Sequence, residues 1–468
     1  MARSIQRIRP IAILWSTVII MKMAPSQPPA WLLDLPGTSL SPDSVEILLD
    51  TASFKTRLLQ GIRAAKRRIY LVALYLQNDE AGREVLEALY EAKQANPELD
   101  VHLLVDFHRS RRGLIGKGPQ VGNDQFYRET AARYNHQIEI HGVPVKNREW
   151  MGVLHLKGFI VDDTVYYSGA SINNVYLHQQ DRYRYDRYHL VHNAPLANSM
   201  VDYIRDNLIA SSAVVSLLSP PLPTLKQIKS SVRQLRQRLS RARYQVAGEA
   251  GDGPMIYPLS GLGRGENLLN KTIERLLGEA KERVFICTPY FNLPRPLMSA
   301  LSRLIRRGVR IDLVVGDKTA NDFYIPPGQP FSPVGALPYL YEQNLRRFAK
   351  RHRRAIDKGL LNLHLWLDEG NSYHLKGLQV DDEYYLLTGN NLNPRAWALD
   401  LENGLLIHDA RGDLKEAFAR ERATIMTHTT RLGRFDLLDT LEVYPDSVKK
   451  LLKRLRRVRA DLLLKRLL

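Results

Sequence analysis

One short phrase occurs twice in the sequence, and this repetition limits what the chain can fold into more than any other feature. Residues 155–163 read HLKGFIVDD and residues 374–382 read HLKGLQVDD, 219 positions apart (374 − 155). Similar segments precede and follow both copies, and a turn rich in small and amide residues comes soon after each. A chain with such an internal repeat is expected to fold into two similar units.

Apolar runs and a helical segment precede each phrase in the same order. In the first half RRIYLVALYL (67–76) leads to LDVHLLVDF (99–107), and in the second half ERVFICTPYF (282–291) leads to IDLVVGD (311–317). Apolar runs that alternate with amphipathic helices are typical of a parallel or mixed sheet covered by helices. We therefore predict an α/β chain with two similar α/β/α domains. Each has a mixed central sheet, and a pseudo-twofold axis brings the two phrases together at the interface.

Changes in composition divide the chain into five segments. We predict an N-terminal extension over 1–38, a first domain over 39–218, a basic linker helix over 219–245, a second domain over 246–435 and a basic C-terminal helix over 436–468. The extension has arginines ahead of an apolar run that is too short to span a bilayer. This pattern indicates a signal peptide, a short interfacial anchor or residues upstream of the true start, and we favour the last of these.

The formal net charge of +18 indicates an anionic partner, which could be nucleic acid, an acidic lipid surface or a phosphate-rich substrate. Much of the excess lies in two Leu-rich segments, 225–243 and 449–468. Three interpretations are open for each: a helix on anionic lipid, a basic face docked on its own domain, or a nucleic-acid contact. The candidates for membrane contact are the cations of the second segment, namely Lys449, Lys450, Lys453, Arg454, Arg456 and Arg457.

The repeated phrase contains side chains suited to phosphodiester chemistry. His155 and Lys157 lie two residues apart, as do His374 and Lys376, so on a strand each pair would project from one face. One histidine can attack phosphorus while the other protonates the leaving oxygen. The lysines can stabilise the negative charge that develops on the nonbridging oxygens. We predict these four residues as catalytic, at a site that needs no metal and no cofactor.

Other polar residues recur at matching positions in the two halves. Asp162 and Asp381 end the phrases at the opposite parity of a continuous strand, so we predict a structural role for them. An acid in each half can orient a histidine, and a polar turn in each half can donate hydrogen bonds to phosphate. The acids are Asp186 and Glu402, and the turn residues are Ser171, Asn173, Asn391 and Asn393. Simple turn capping is the alternative role for the turn residues.

These residues together resemble the phospholipase D superfamily, whose hallmark is two HxKxxxxD motifs, each followed by a small polar turn. Within it, residues 40–468 are similar to the phosphatidylserine synthases of Gram-negative bacteria. That similarity is carried by CTPYFNLP (287–294), VGDKTANDFYIP (315–326), GALPYLYEQNLRRF (335–348), TGNNLNPRAWALDLENGLLIHD (388–409) and RRVRADLLLKRLL (456–468). The turns depart from the superfamily pattern, because Ala170 stands where Gly is usual and Asn391 where Ser is usual.

The resemblance implies a reaction of CDP-diacylglycerol with L-serine that gives phosphatidylserine and CMP through a phosphatidyl-histidine. It implies His155 as the nucleophile, and His374 as the acid that protonates CMP and then deprotonates serine. Alternatives are a cardiolipin synthase-like or phospholipase D-like phosphodiesterase, or a non-catalytic protein that binds membrane surfaces. We expect a cytoplasmic protein held peripherally on the inner face of the cytoplasmic membrane, with nonspecific adhesion to ribosomes or nucleic acid as a side effect.

Overall fold

A computed structural model describes residues 28–112, 121–248 and 251–457. The predicted N-terminal extension lies outside the described residues as far as residue 27, and the C-terminal segment does so after residue 457. The strands, in chain order, are β1 (Thr38–Ser39), β2 (Val45–Leu48), β3 (Arg68–Ala73), β4 (Asp100–Asp106), β5 (Glu139–Val143), β6 (Phe159–Val161), β7 (Thr164–Ser168), β8 (Arg184–Tyr185), β9 (Tyr188–His192), β10 (Val215–Ser216), β11 (Met255–Leu262), β12 (Arg283–Thr288), β13 (Arg310–Gly316), β14 (Leu361–Trp366), β15 (Ser372–Tyr373), β16 (Gly377–Val380), β17 (Tyr384–Thr388), β18 (Leu401–His408) and β19 (Thr429–Arg431).

The α-helices are α1 (Ala30–Leu33), α2 (Thr51–Ala64), α3 (Glu80–Ala95), α4 (Phe107–Ser110), α5 (Asn123–Ala131), α6 (Ala194–Ile204), α7 (Lys229–Leu239), α8 (Leu268–Glu279), α9 (Arg295–Arg307), α10 (Leu337–Arg351), α11 (Arg353–Asp357), α12 (Pro394–Ala398), α13 (Lys415–Thr427) and α14 (Asp446–Arg457). Across the described ranges, no helix is both long and apolar enough to cross a membrane.

Two mixed sheets form the centres of the two halves, and their strands correspond one to one. The first sheet has the order β10-β5-β4-β3-β6-β7-β9-β2, and the second has the order β19-β14-β13-β12-β16-β17-β18-β11 with β1 added at its edge. In the first sheet β3, β4 and β5 run parallel, as β12, β13 and β14 do in the second, and the other neighbours run antiparallel. The predicted fold class of two similar α/β domains is confirmed.

The two sheets face each other across a shared apolar core. This core joins Val165 of β7 and Met200 of α6 in the first half to Leu405 of β18 and Phe418 of α13 in the second. Separate clusters lie on the outer faces, under α2 and α3 in one half and under α8 and α9 in the other. Burial of one large apolar side chain contributes about 2 kcal/mol, so a core drawn from both halves holds the domains together.

The linker segment contributes to this same core. Helix α7 begins at Lys229, and its residues Val232, Leu235 and Leu239 are all buried among core residues of the two halves. The apolar stripe is therefore already covered by protein. The interpretation of 225–243 as a helix whose apolar face enters lipid is wrong, and the segment is a docked helix with a basic outer face.

The His and Lys of each phrase lie just before a strand and not on it. Strand β6 begins at Phe159, after a break at Gly158 with φ of 106°, and β16 begins at Gly377, with φ of 128°. Such values favour glycine, and a Cβ added to Gly377 would lie 2.5 Å from the carbonyl oxygen of Leu386. The expectation that each HxK segment continues into the strand is wrong, and with it the parity argument for Asp162 fails.

Asp162 and Asp381 lie in the turns that follow β6 and β16, with φ of 50° and 53°. The carboxylate of Asp381 accepts hydrogen bonds from the backbone N–H groups of 281–283, at 2.7, 2.9 and 2.8 Å. Asp162 accepts from the N–H groups of 66–68 in the same manner, at 2.9, 2.8 and 3.1 Å. Each acid thus joins the end of its phrase to the start of the adjacent strand.

Replacement of this acid should lower stability. Asp381→Ala removes the acceptor of three N–H groups and should lower the free energy of unfolding by about 2 kcal/mol, because hydrogen bonds to a charged group exceed the usual contribution. Urea unfolding followed by circular dichroism measures the change. Asp252→Ala is the matched control, since that side chain is 97% exposed. Equal losses in the two variants would contradict the structural role of Asp381.

Candidate active site

Each phrase pairs with the opposite half of the chain. Strand β15, which precedes His374, pairs with β8 of the first half in a two-stranded parallel sheet, and Leu154 forms a parallel bridge with Leu401. The N–H of His374 donates to the carbonyl of Tyr185 at 2.8 Å, and the N–H of His155 donates to the carbonyl of Leu401 at 3.0 Å. These backbone contacts place both histidines at the interface between the domains.

The residue after each of these carbonyls is an acid that contacts the histidine. Nδ1 of His155 lies 2.9 Å from both carboxylate oxygens of Glu402, and Nδ1 of His374 lies 2.9 Å from Oδ2 of Asp186. All four side chains are at least nine-tenths buried. Each histidine therefore takes its acid from the other half, which leaves its Nε2 as the remaining ring nitrogen for chemistry.

The two lysines are buried but have different partners. Nζ of Lys376 lies 2.9 Å from Oδ2 of Asp186 and also contacts Nδ1 of His374. Nζ of Lys157 lies 3.5 Å from the carbonyl oxygen of Ala170. A Cβ on Gly169 would lie 2.6 Å from Nζ of Lys376, and a Cβ on Gly389 would lie 2.5 Å from Cγ of Lys157. Because Gly169 and Gly389 lack a side chain, each turn leaves room for the lysine of the opposite half.

The polar turns cap backbone groups with some of their side chains. Oδ1 of Asn173 accepts from the N–H of Tyr176 at 2.9 Å, and Oδ1 of Asn393 accepts from the N–H of Ala396 at 2.9 Å, as the N-cap of α12. The turn residue Ser171 is buried, with 2% of its surface exposed. Among the described residues, the buried Oδ1 of Asn391 has no hydrogen-bond partner. Asn173 and Asn393 thus cap backbone groups through Oδ1, and hydrogen bonds from these turns to phosphate stay a prediction.

Two contacts in the site were not identified from the sequence. Asn403 accepts from the N–H of Lys157 at 2.7 Å through Oδ1 and donates to its carbonyl at 2.8 Å through Nδ2, so it fixes the backbone of a residue in the opposite half. The hydroxyl of Tyr176 lies 3.3 Å from Nδ1 of His374. Asn403 follows Glu402 directly, whereas Arg187 follows Asp186, and this mismatch within the repeat is the signal that could have marked the position.

The two pairs of histidine and acid differ electrostatically. Burial and the lysines of the site lower the pKa of His155 well below its usual value, and burial and Lys376 lower the pKa of His374 to about 4. Burial alone would raise the pKa of Asp186, but Lys376 and His374 lower it to about 2. Burial raises the pKa of Glu402 well above its usual value. The acid beside His374 is therefore more strongly ionised than the acid beside His155.

Burial also acts on the lysines. Burial and the nearby Lys376 lower the pKa of Lys157 to about 7, and burial lowers the pKa of Lys376. Two ammonium groups in one desolvated site favour an anionic ligand between them. In the part of the chain that the structure describes, no group of three or more His, Cys, Asp or Glu side chains is arranged to hold a metal ion.

Comparisons with known proteins identify the family of the chain. The family profile described as "Cardiolipin synthase, PLD-like domain" matches residues 58–200 and 273–424. The CDP-diacylglycerol–serine O-phosphatidyltransferase of Haemophilus influenzae is 48% identical over 443 residues, which cover 93% of this chain and 97% of that protein. The chain belongs to this family. The predicted membership of the phospholipase D superfamily is thereby confirmed.

Two further relatives agree. The enzyme of the same name from Escherichia coli strain K12 is 47% identical over 439 residues, 93% of this chain and 97% of that protein. The crystal structure of phosphatidylserine synthase from Haemophilus influenzae superimposes with a TM-score of 0.90 at 47% identity, over 93% of this chain and 98% of that chain. The family and its two-domain fold therefore extend over nearly all of the described residues.

The low pKa of Lys157 makes anion binding depend on pH. As the pH rises from 6 to 8.5, Lys157 loses its proton, so the affinity for sulfate should fall about tenfold, as expected for loss of one charge-assisted contact. Sulfate keeps its charge over this range, and calorimetry measures its binding. Lys157→Arg, which stays protonated, should bind with little dependence on pH. A flat profile in the unmodified chain would contradict the prediction.

Proposed function

We propose that the chain transfers the phosphatidyl group of CDP-diacylglycerol to L-serine and releases CMP. The observation that carries the proposal is the pair of buried histidines, each held by an acid of the opposite half, in a chain whose near-full-length relatives are named for this transfer. A double displacement at phosphorus needs a nucleophile and an acid on opposite sides of the phosphate. The site offers one imidazole for each role.

His155 is the better nucleophile in this scheme. Its low pKa keeps the imidazole unprotonated, and the contact of Nδ1 with Glu402 directs Nε2 toward the phosphate. Nε2 forms a bond to phosphorus as the bond from phosphorus to the CMP oxygen breaks. The product of this step is a phosphatidyl-histidine, which separates one difficult displacement into two easier ones.

His374 acts as the acid and then as the base. Burial and Lys376 lower the pKa of His374 to about 4, but Asp186 and the negative charge of an arriving diphosphate both act to raise it and so favour the protonated form. Its proton goes to the oxygen of CMP as CMP leaves. In the second step it takes the proton of the serine hydroxyl, whose oxygen bonds to phosphorus while the bond to His155 breaks. Lys157 and Lys376 stabilise the charge on the nonbridging oxygens in both steps.

Release of CMP in mixed micelles tests the function. Purified protein with CDP-diacylglycerol should release CMP in proportion to added serine and should form phosphatidylserine, as followed by radiolabelled serine. Equal release without serine would identify a hydrolase instead. Transfer to a glycerol-bearing acceptor in place of serine would identify a cardiolipin synthase-like enzyme, and no release under any condition would indicate a non-catalytic protein.

Variants of the two histidines test the mechanism in the same assay. His155→Ala and His374→Ala should each lower serine-dependent release by about a thousandfold or more, since each removes a group that reacts in both steps. The matched control is His192→Ala, because His192 is an exposed histidine at the end of β9. A variant at either site with normal turnover would contradict the two-histidine mechanism.

Helix α14 provides a cationic surface for attachment to anionic lipid. Val448 and Leu452 are buried against the second domain with Tyr339 and Tyr444, so the apolar face of this helix is covered by protein. The exposed cations on its outer face are Lys450, Lys453, Arg454, Arg456 and Arg457. Lys449 is partly buried. We propose that this face holds the protein peripherally on an anionic membrane through electrostatic attraction. Nonspecific adhesion to ribosomes or nucleic acid would follow from the same charge.

Removal of this charge should weaken membrane binding. Replacement of Lys450, Lys453 and Arg454 by Gln should lower binding to phosphatidylglycerol vesicles at least tenfold, at about 1 kcal/mol for each charge near the surface. Sedimentation with nuclease-treated protein measures the binding. The matched control replaces three exposed cations of α7, namely Lys229, Arg233 and Arg236. Equal losses in both variants would show a general charge effect and contradict a specific role for α14.

A further inference from the structure

An almost buried ion pair lies beside His374 and takes no part in the chemistry described above. Nε of Arg184 lies 2.8 Å from Oδ1 of Asp322, and the two side chains are 15% and 11% exposed. The same Nε lies 3.3 Å from Oγ of Ser372. The hydroxyl of Tyr290 donates to Oδ2 of Asp322 at 3.0 Å. The pair thus joins the two halves of the chain and is held in place by polar side chains of the second half.

The aromatic side chains that contact this ion pair also contact the imidazole of His374. The guanidinium of Arg184 lies 4.5 Å over the ring of Tyr176, and that ring meets the imidazole of His374 edge to face at 5.4 Å. The ring of Tyr290 lies 6.4 Å from the same imidazole. Arg184 and His374, together with burial, set the pKa of Asp322, and the net effect lowers it, so the carboxylate is ionised. Two aromatic rings therefore contact His374, and each of them also contacts one member of the ion pair.

The other half has the opposite charge at the corresponding position. Arg184 comes two residues before Asp186, whereas Asp400 comes two residues before Glu402. Asp400 contacts Nε of Arg395 at 3.1 Å and accepts from the N–H of Val153 at 3.0 Å. The arrangement beside His374 is therefore not a requirement of the repeated fold. A nearly buried ion pair is also a weak source of stability, because the desolvation cost offsets much of the attraction.

We propose that Arg184 and Asp322 bind the α-carboxylate and the α-ammonium group of the acceptor amino acid and so present its hydroxyl to His374. This assignment rests on the proposed function. The acceptor is a zwitterion whose two charged groups share one carbon, so neighbouring charges of opposite sign match it. CMP has an anionic phosphate that could match Arg184 but no cationic group that could match Asp322. The transfer itself is unchanged: the serine oxygen bonds to phosphorus, the bond to His155 breaks, and the proton goes to His374.

Comparison of two partial reactions separates the acceptor from the nucleotide. Serine transfer requires the acceptor, whereas exchange of labelled CMP into CDP-diacylglycerol requires only the nucleotide and the phosphatidyl-enzyme. Asp322→Asn should lower the ratio of serine transfer to CMP exchange at least tenfold, mainly through a higher KM for serine, and Asp322→Glu should recover part of it. The matched control is Asp436→Asn, which removes the same charge from the exposed pair of Asp436 with Arg434.

A parallel fall of both reactions in Asp322→Asn would overturn the assignment, because it would indicate a role in nucleotide binding or in folding. The unmodified chain supplies a test that is independent of any variant. N-acetylserine lacks the ammonium group and serine methyl ester lacks the carboxylate, so each should inhibit serine transfer at least tenfold more weakly than a non-reactive analogue that keeps both charges, such as alanine. Equal inhibition would also overturn it. CMP exchange without serine transfer in the unmodified chain would instead refute the proposed function.

Discussion

Two contacts between a histidine and an acid cross the interface between the halves, that of His155 with Glu402 and that of His374 with Asp186. Much of the structure serves to keep these contacts in register. The HxK segments lie extended against the opposite half because their backbone N–H groups donate across the interface. The shared core holds the sheets face to face at the required separation. Asp381 and its counterpart, Asp162, secure the far end of each phrase, so the segment between is fixed at both ends.

The duplication in the sequence predicts much of this arrangement. It correctly indicates two similar mixed sheets, and it places His and Lys at equivalent points of both. It does not reveal that each acid serves the opposite half, because no local pattern encodes which face of a domain meets its partner. The sequence also could not choose between the lipid-bound and the docked interpretation of α7, because an apolar stripe with basic flanks looks the same whether protein or lipid covers it. The sequence did not predict roles for Asn403, Arg184 and Asp322, because none of them recurs at the matching position of the other half.

Small differences between the halves distinguish the surroundings of the two histidines. Asp186 lies within 2.9 Å of Nζ of Lys376, and the described contacts include no such ion pair between Glu402 and Lys157. Lys376 keeps the pKa of Asp186 low in this desolvated site, whereas burial and Asp400 raise the pKa of Glu402 more than the nearby lysines lower it. The two histidines therefore experience different fields although the repeat places them at equivalent positions. This difference supports the proposal of His155 as nucleophile and His374 as acid.

The exchange of acids between the halves also bears on the covalent connection between them. Two identical chains could form the same pair of crossed contacts, but a twofold symmetric dimer must repeat every substitution on both sides of its axis. In a fused chain each copy can change independently. Different residues can therefore occupy matching positions of the two copies: Asp186 corresponds to Glu402, Arg184 to Asp400 and Ser171 to Asn391. The linker thus removes a symmetry constraint, and one pocket can present different chemistry to the two sides of a single phosphorus atom.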